Sequence, residues 1–301
     1  MVQNTESVIS VRNLTQRYGT GRLIYSNLNF EVPKGRILGL LGKNGTGKTT
    51  TINILMGYLR PQEGECRIFG EEITRISPET RARIALLIEG HVQYSFMTIS
   101  QIEKFYSRFY PKWNRDAYYE LMAKLHVSPG QKISSMSCGQ RSQVALGLIL
   151  AQNADLLVLD DFSLGLDPGY RRLFIDYLRE FAKAEEKTVF MTSHIIQDLE
   201  RLIDDCIMLD YGKILTQMPV DELLGSFSRY TLTTDMPIER LAESEMFINP
   251  GKIKNEVEFY TFKSDDEVRK NLSALSIDCQ GLERTENLSL EDAFIGLTGK
   301  Y

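Results

Sequence analysis

The sequence predicts an α/β fold with an inserted helical region and a separate, smaller α+β domain at its C-terminal end, and three observations predict it. Short, nearly continuous apolar runs recur at residues 36–41, 156–159, 188–192 and 206–209. Strands buried on both faces of a parallel sheet read this way. Residues 99–136 instead carry apolar side chains three and four apart, the period of helices. Beyond residue 225 the texture changes again, to isolated strands and one helix.

Taken in order, the first thirty or so residues read as antiparallel strands. In residues 27–32, Leu28, Phe30 and Val32 alternate with Asn27, Asn29 and Glu31, so one face is buried. In the helical region, Ile102, Phe105, Tyr106, Phe109 and Tyr110 form one face. Tyr118, Leu121, Met122 and Leu125 form another, while Pro111 and the pair Pro129–Gly130 break the segment. The aromatic set around Phe105 reads as core; any exposed part of it would suit a groove for a partner helix. Near the end, residues 230–233 and 257–262 read as strands and 265–275 as a helix. The expected organisation is a domain over 1–225, its helical part at about 99–155, and a small domain over 226–301.

Composition narrows the class. A chain of 301 residues with 43% hydrophobic and 25% charged side chains is long enough, and apolar enough, for a well-buried core. A net charge of −5, with Lys and Arg spread along the chain, argues against a nucleic-acid partner held by a basic surface. Cys66, Cys138, Cys206 and Cys279 lie far apart and suit a reducing cytosol better than a disulfide framework or a zinc site. The opening residues lack the basic start and apolar run of a secretory signal. No stretch approaches the roughly 18 apolar residues of a membrane span. Work at a membrane therefore needs a partner.

The strongest local signal is GKNGTGKTT at residues 42–50, which fits G-x-x-x-x-G-K-[ST]. It follows the apolar run ILGLL and precedes a predicted helix at 50–57, the context that a phosphate-binding loop requires. Gly42, Gly45 and Gly47 let the backbone curl so that N–H groups from Lys43, Asn44, Thr46 and Thr50 onward point at phosphate oxygens. The helix start adds positive partial charge. Lys48 is placed to reach the β- and γ-phosphates, and the Thr49 hydroxyl to ligate Mg²⁺. The core is thus expected to be that of a P-loop NTPase.

Over roughly residues 8–220 the chain resembles the ATP-binding cassette (ABC) family. LLVLDD ends an apolar run in two acids like a Walker B motif, MSCGQ at 136–140 is similar to the family signature, and LGLDP at 164–168 looks like its D-loop. The run TVFMTS leads to His194, like the switch histidine, and Tyr18 in QRYG matches the aromatic that stacks on adenine. The resemblance implies ATP and Mg²⁺ as cofactors, with Asp160 holding the metal and Asp167 in the D-loop beside the nucleotide. It implies two cassettes, identical or not, paired head to tail. Ser137, Cys138, Gly139 and Gln140 of one would then cover the γ-phosphate held by the other. It further implies ATP hydrolysis that powers an integral membrane permease, from the cytoplasmic face of a bacterial membrane. RIALLIEGH and the following residues, and the ending SLEDAFIGLTGK, are similar to export-type cassettes. Two alternatives belong to other classes: a regulatory switch with low turnover, and a soluble cassette protein acting on ribosomes or DNA. The latter usually carries two cassettes or long charged coiled-coil insertions, and this sequence has neither.

Three positions depart from the family pattern. Asp161 stands where the general base is usually Glu, which shortens the stem by one methylene, about 1 Å, a displacement that can cost roughly 10²-fold in rate. Either Asp161 still polarises the attacking water, or the site is slow. Glu89 stands where the family has the Gln of the Q-loop, and is either a metal or water ligand or an exposed loop acid; Gln93 competes for the same role. Cys138 replaces a glycine of the signature, either as a tolerated small residue or as a thiol activated by a helix start. His91 and His126 show no partner pattern.

Overall fold

The computed structural model describes residues 6–19, 21–88, 94–162, 166–234 and 238–299. Two compact units divide the chain, residues 1–214 and 215–301. The division comes earlier than the sequence suggests, because the helix Val220–Ser226 packs on the last helix of the second unit.

The first unit opens with two long antiparallel strands, β1 (Ser7–Arg17) and β2 (Leu23–Pro33). On β2, Leu28, Phe30 and Val32 are buried and the intervening Asn27, Asn29 and Glu31 exposed, as the alternation predicts. β3 (Ile37–Gly42) follows and runs into the glycine-rich loop, from which α1 (Lys48–Leu55) starts. β4 (Glu63–Ile68) pairs antiparallel with β1, and the two-residue β5 (Glu71–Glu72) extends it. A one-turn helix, α2 (Pro78–Arg81), is capped by the Ser77 hydroxyl and leads to β6 (Ile84–Leu87).

The helical part comprises α3 (Ile99–Tyr106), α4 (Arg115–Lys124) and α5 (Cys138–Ala151). Thr98 with Gln101, and Ser137 with Gln140, close capping boxes at the starts of α3 and α5. Tyr118, Leu121, Met122 and Leu125 are buried, as their spacing predicts. The aromatic set on α3 is not core. Only Ile102 of that set is buried, because the helix ends at Tyr106 and the later aromatics leave its face, Phe109 being 63% exposed.

The chain then alternates through β7 (Leu156–Leu159), α6 (Pro168–Ala184), β8 (Thr188–Thr192), α7 (Ile196–Glu200) and β9 (Asp205–Asp210). It leaves the unit within β10 (Lys213–Pro219). The central sheet has the order β10-β9-β3-β8-β7-β6, with β9, β3, β8, β7 and β6 running parallel to one another. Every residue of β7 and β8 is buried, which is why these strands read as unbroken apolar runs. One core joins this sheet to the β2-β1-β4-β5 sheet, with Phe30 stacked on Phe190 at 5.8 Å between ring centroids. The order sets the carboxyl ends of β3, β8 and β7 side by side, the edge where ligands bind in open parallel sheets.

The second unit contains α8 (Val220–Ser226), β11 (Ser228–Thr233), α9 (Glu239–Ala242), β12 (Ile248–Ile253) and β13 (Glu256–Thr261). It ends with α10 (Asp265–Ala274), β14 (Glu283–Thr285) and α11 (Leu290–Thr298). Its antiparallel sheet has the order β12-β13-β11-β14. One face carries a core of its own, built on Tyr230, Leu232, Phe247, Val257, Phe259, Val268 and Leu272. On the other face Tyr260 stacks on Phe227, and Gly296 of α11 sits so close to the Tyr260 ring that a side chain would collide with it.

Candidate nucleotide site

The glycine-rich loop owes its shape to tight backbone approaches. Gly47, the N-cap of α1, has φ of 105°, a left-handed conformation that a side chain would strain. A Cβ there would also lie 2.6 Å from Ile24 and 2.7 Å from the Tyr25 ring. Beneath the loop the buried Thr46 hydroxyl donates to the Lys43 carbonyl at 2.8 Å. Lys48 Nζ donates to the carbonyl oxygens of Gly42 at 2.7 Å and Lys43 at 3.1 Å, so its ammonium is folded onto the loop. Burial holds the Lys48 ammonium below its usual value, opposed by the carboxylates of Asp161 and Asp160. A bound polyphosphate would add to that opposition and favour the charged form.

Both acids follow the end of β7, and the neighbouring β8 supplies Thr192 and leads to His194. Asp160 is 3% exposed, and its Oδ1 accepts hydrogen bonds from the Thr192 hydroxyl at 2.7 Å and the Thr49 hydroxyl at 3.3 Å. The Asp161 backbone has φ of 44°, and its N–H donates to Thr192 Oγ1 at 3.1 Å. His194 Nδ1 lies 2.6 and 2.7 Å from the two carboxylate oxygens of Asp161. A lysine ammonium, a hydroxyl–carboxylate pair and a carboxylate–imidazole pair therefore share one rim.

They enclose a cavity of about 350 Å³, lined also by Tyr18, Asn44, Gly45, Gly47, Thr50, Arg22, Ile24 and Thr192. Tyr18 is half exposed at its mouth, with the phenol oxygen 3.1 Å from Thr50 Oγ1. Gly42, Lys43 and Thr46 shape the loop from below without lining the cavity. Arg22, Ile24 and Thr192 are absent from the residues picked out by sequence. Thr192 left one trace, a polar side chain closing an otherwise apolar run.

Other expected site residues lie apart from this cavity. Ser137, Cys138, Gly139 and Gln140 start α5 and do not line it. The Ser137 hydroxyl accepts the Gln140 N–H at 3.1 Å, Cys138 is exposed, and Gly139 is pressed against the Tyr170 ring. Asp167 uses its carboxylate to cap α6, accepting from the N–H groups of Gly169 and Tyr170 at 3.0 Å each. Glu89, His91 and Gln93, with the D-loop positions 164 and 165, lie outside the described residues. Among the other thiols, burial pushes Cys66 and Cys206 up to about 12, leaving both inert at neutral pH.

A glycine-rich loop between a buried strand and a helix, on a parallel sheet with two acids at the end of a nearby strand, defines a P-loop nucleoside-triphosphate-binding protein. Comparison with known proteins narrows the class. The family model described as ABC transporter matches residues 25–163. A Nod factor export ATP-binding protein I of Burkholderia orbicola is 30% identical, over 72% of this chain and 73% of its own. A bacitracin transport ATP-binding protein of Bacillus licheniformis is 27% identical, over 97% of this chain and 98% of its own. Among solved structures, an ATP-binding subunit of an ABC transporter superposes with a TM-score of 0.63, covering 72% of this chain and 92% of that one at 24% identity, a likeness of fold. The chain belongs to the ABC transporter family, as an ATP-binding and ATP-hydrolysing subunit that powers transport.

Proposed function

We propose that residues 1–214 form the cassette that drives an export-type transporter, and that residues 215–301 are an accessory domain to it. The observation that carries this reading is the convergence of Lys48, Thr49, Asp160, Asp161 and His194 on one cavity from three adjacent strand ends. Lys48 exchanges its loop carbonyls for the β- and γ-phosphates of ATP, and Tyr18 stacks on adenine. Asp161 polarises the attacking water, and His194 orients that carboxylate from 2.6 Å.

The same rim suits magnesium. Thr49 and Asp160 bring a hydroxyl and a carboxylate, both hard oxygen donors, to within 3.3 Å of each other at the cavity wall. Magnesium commonly takes one or two protein oxygens and leaves the rest to phosphate and water. A cage of three acidic or histidine side chains is therefore not required, and none occurs among the described residues. When bound, the ion neutralises charge on the β- and γ-phosphates.

Ser137 and Cys138 are exposed at the start of α5 and lie away from their own chain's cavity, which supports their use on the ATP of a second cassette. No helix among the described residues is long and apolar enough to cross a membrane. The span then belongs to an integral membrane permease, with this chain peripheral on the cytoplasmic face of a bacterial membrane. Tyr94, Phe96, Phe105 and Phe109 form a run of edge-to-face rings, three of them exposed, that fits a permease segment. The transport of bacitracin and the export of Nod factor named for the relatives support an exporter of small molecules or peptides.

The test is Lys48→Ala. Loss of a charge-assisted contact of about 1.5–3 kcal/mol should weaken ATP binding roughly ten- to a hundredfold, with loss of ATP-dependent pairing in sedimentation. Affinity and pairing both unchanged would overturn the reading.

A further inference from the structure

We propose that Thr192 is a positioning residue that fixes both acids of the site through a single hydroxyl, an inference that rests on the roles of Asp160 and Asp161 given above. Its position follows from strand register. β7 and β8 are parallel with Leu159 beside Met191, so the next rung sets Asp160 beside Thr192. Thr192 is 1% exposed, and its oxygen has two partners, Asp160 Oδ1 at 2.7 Å and the Asp161 N–H at 3.1 Å. A hydroxyl has one hydrogen, and the Asp161 N–H can only donate. The Thr192 proton therefore points at Asp160, and its lone pair receives Asp161.

Each contact controls a different half of the chemistry. Asp160 Oδ1 has two hydroxyl donors, Thr49 from the cavity side and Thr192 from the strand. When the Thr49 oxygen turns to a metal ion, Thr192 is the donor that still fixes the carboxylate rotamer. The Asp161 backbone sits at φ of 44°, where non-glycine residues are uncommon, and the bond to Thr192 ties down its N–H. That backbone aims a short side chain at His194 Nδ1, 2.6 and 2.7 Å away. Thr192 thus acts on the metal side and the water side together, through the two acids. Partners that orient a ligand in this way typically change metal affinity or activity by about 10- to 100-fold when removed.

The experiment compares Thr192→Val, which keeps the shape and loses the hydroxyl, with Thr192→Ser, which keeps the hydroxyl, both in the full chain. Three quantities are measured: Mn²⁺ affinity in the presence of a non-hydrolysable ATP analogue, by paramagnetic resonance; analogue affinity without divalent metal; and ATP turnover. For Thr192→Val, Mn²⁺ affinity should fall about tenfold and turnover about thirtyfold or more, with metal-free analogue affinity within about twofold. Thr192→Ser should recover metal affinity and turnover to within about threefold. A valine variant that matches the unaltered chain, or a serine variant that loses as much as valine, overturns the proposal. If the valine variant fails to fold, Thr192→Ala is read against serine in the same way. Failure of the underlying site reading looks different: the unaltered chain itself would bind neither the analogue nor Mn²⁺.

Discussion

Asp161 meets His194 with both carboxylate oxygens, from a backbone in the left-handed region, and this geometry bears on how a shorter acid serves where the family resemblance leads one to expect glutamate. The missing methylene pulls the carboxylate back by about 1 Å, enough to matter for a general base. In this chain the carboxylate already has a partner that fixes its direction, so it is presented to the cavity in one orientation. If it takes the proton from water, Asp161→Asn should lower turnover by about 10²- to 10⁴-fold, because the amide keeps the shape but not the basicity. ATP affinity, measured with a fluorescent analogue, should stay within about twofold, since the proposed site assigns phosphate binding to Lys48 and the loop. Unchanged turnover in this variant would remove Asp161 from the chemistry.

Elements meet closely where α5 starts against α6. Gly139 faces the Tyr170 ring so closely that a methyl group would fall inside it, while Gln143 Nε2 donates to the Tyr170 carbonyl at 2.8 Å. Tyr170 in turn donates its N–H to Asp167, so the signature turn and the cap of α6 are held by one residue. Gly139→Ala should overpack this contact at a cost of about 1–3 kcal/mol and displace the α5 start. ATP-dependent pairing should then fail in sedimentation, while binding of ATP to the single chain persists and Gly139→Ala/Tyr170→Ala regains pairing. Pairing unaltered by Gly139→Ala would mean that this turn does not carry the contact. Such elements differ in how plainly they show in the sequence. The glycine loop, the twin acids and the strands β3, β7, β8 and β9 are legible because a few adjacent residues carry the whole pattern. β6 (Ile84–Leu87) is as short as β7 but lacks the pair of acids that marks where β7 ends. β12 buries none of its side chains and so has no apolar alternation to read. The aromatics after Tyr106 keep a helical spacing past the point where the helix stops. Thr192 is hidden for another reason: its partners are more than thirty residues away, and only the register of β7 against β8 brings them together.

At the scale of the whole molecule, each of the two units has an apolar core of its own among the described residues. In the second unit Phe259 stacks on Tyr230 at 5.4 Å and meets Phe247 edge-on at 4.7 Å between ring centroids. All three are buried, and none of the residues of that core lines the nucleotide cavity or lies before residue 215. Phe259→Ala removes the shared ring of the cluster, and deletions of this kind cost roughly 3–5 kcal/mol. That is a large share of the stability of so small a unit, so its unfolding transition should move to markedly lower temperature. ATP stabilises only what binds it, by about 2.7 kcal/mol at a hundred times the dissociation constant. The transition that ATP raises should therefore stay where it is in the Phe259→Ala chain, with nucleotide affinity within about twofold of the unaltered protein. Calorimetry with and without nucleotide checks both halves. A single transition that falls with Phe259→Ala and takes ATP affinity down with it would show that the two cores fold as one, and that the accessory domain is part of what holds the nucleotide site in shape.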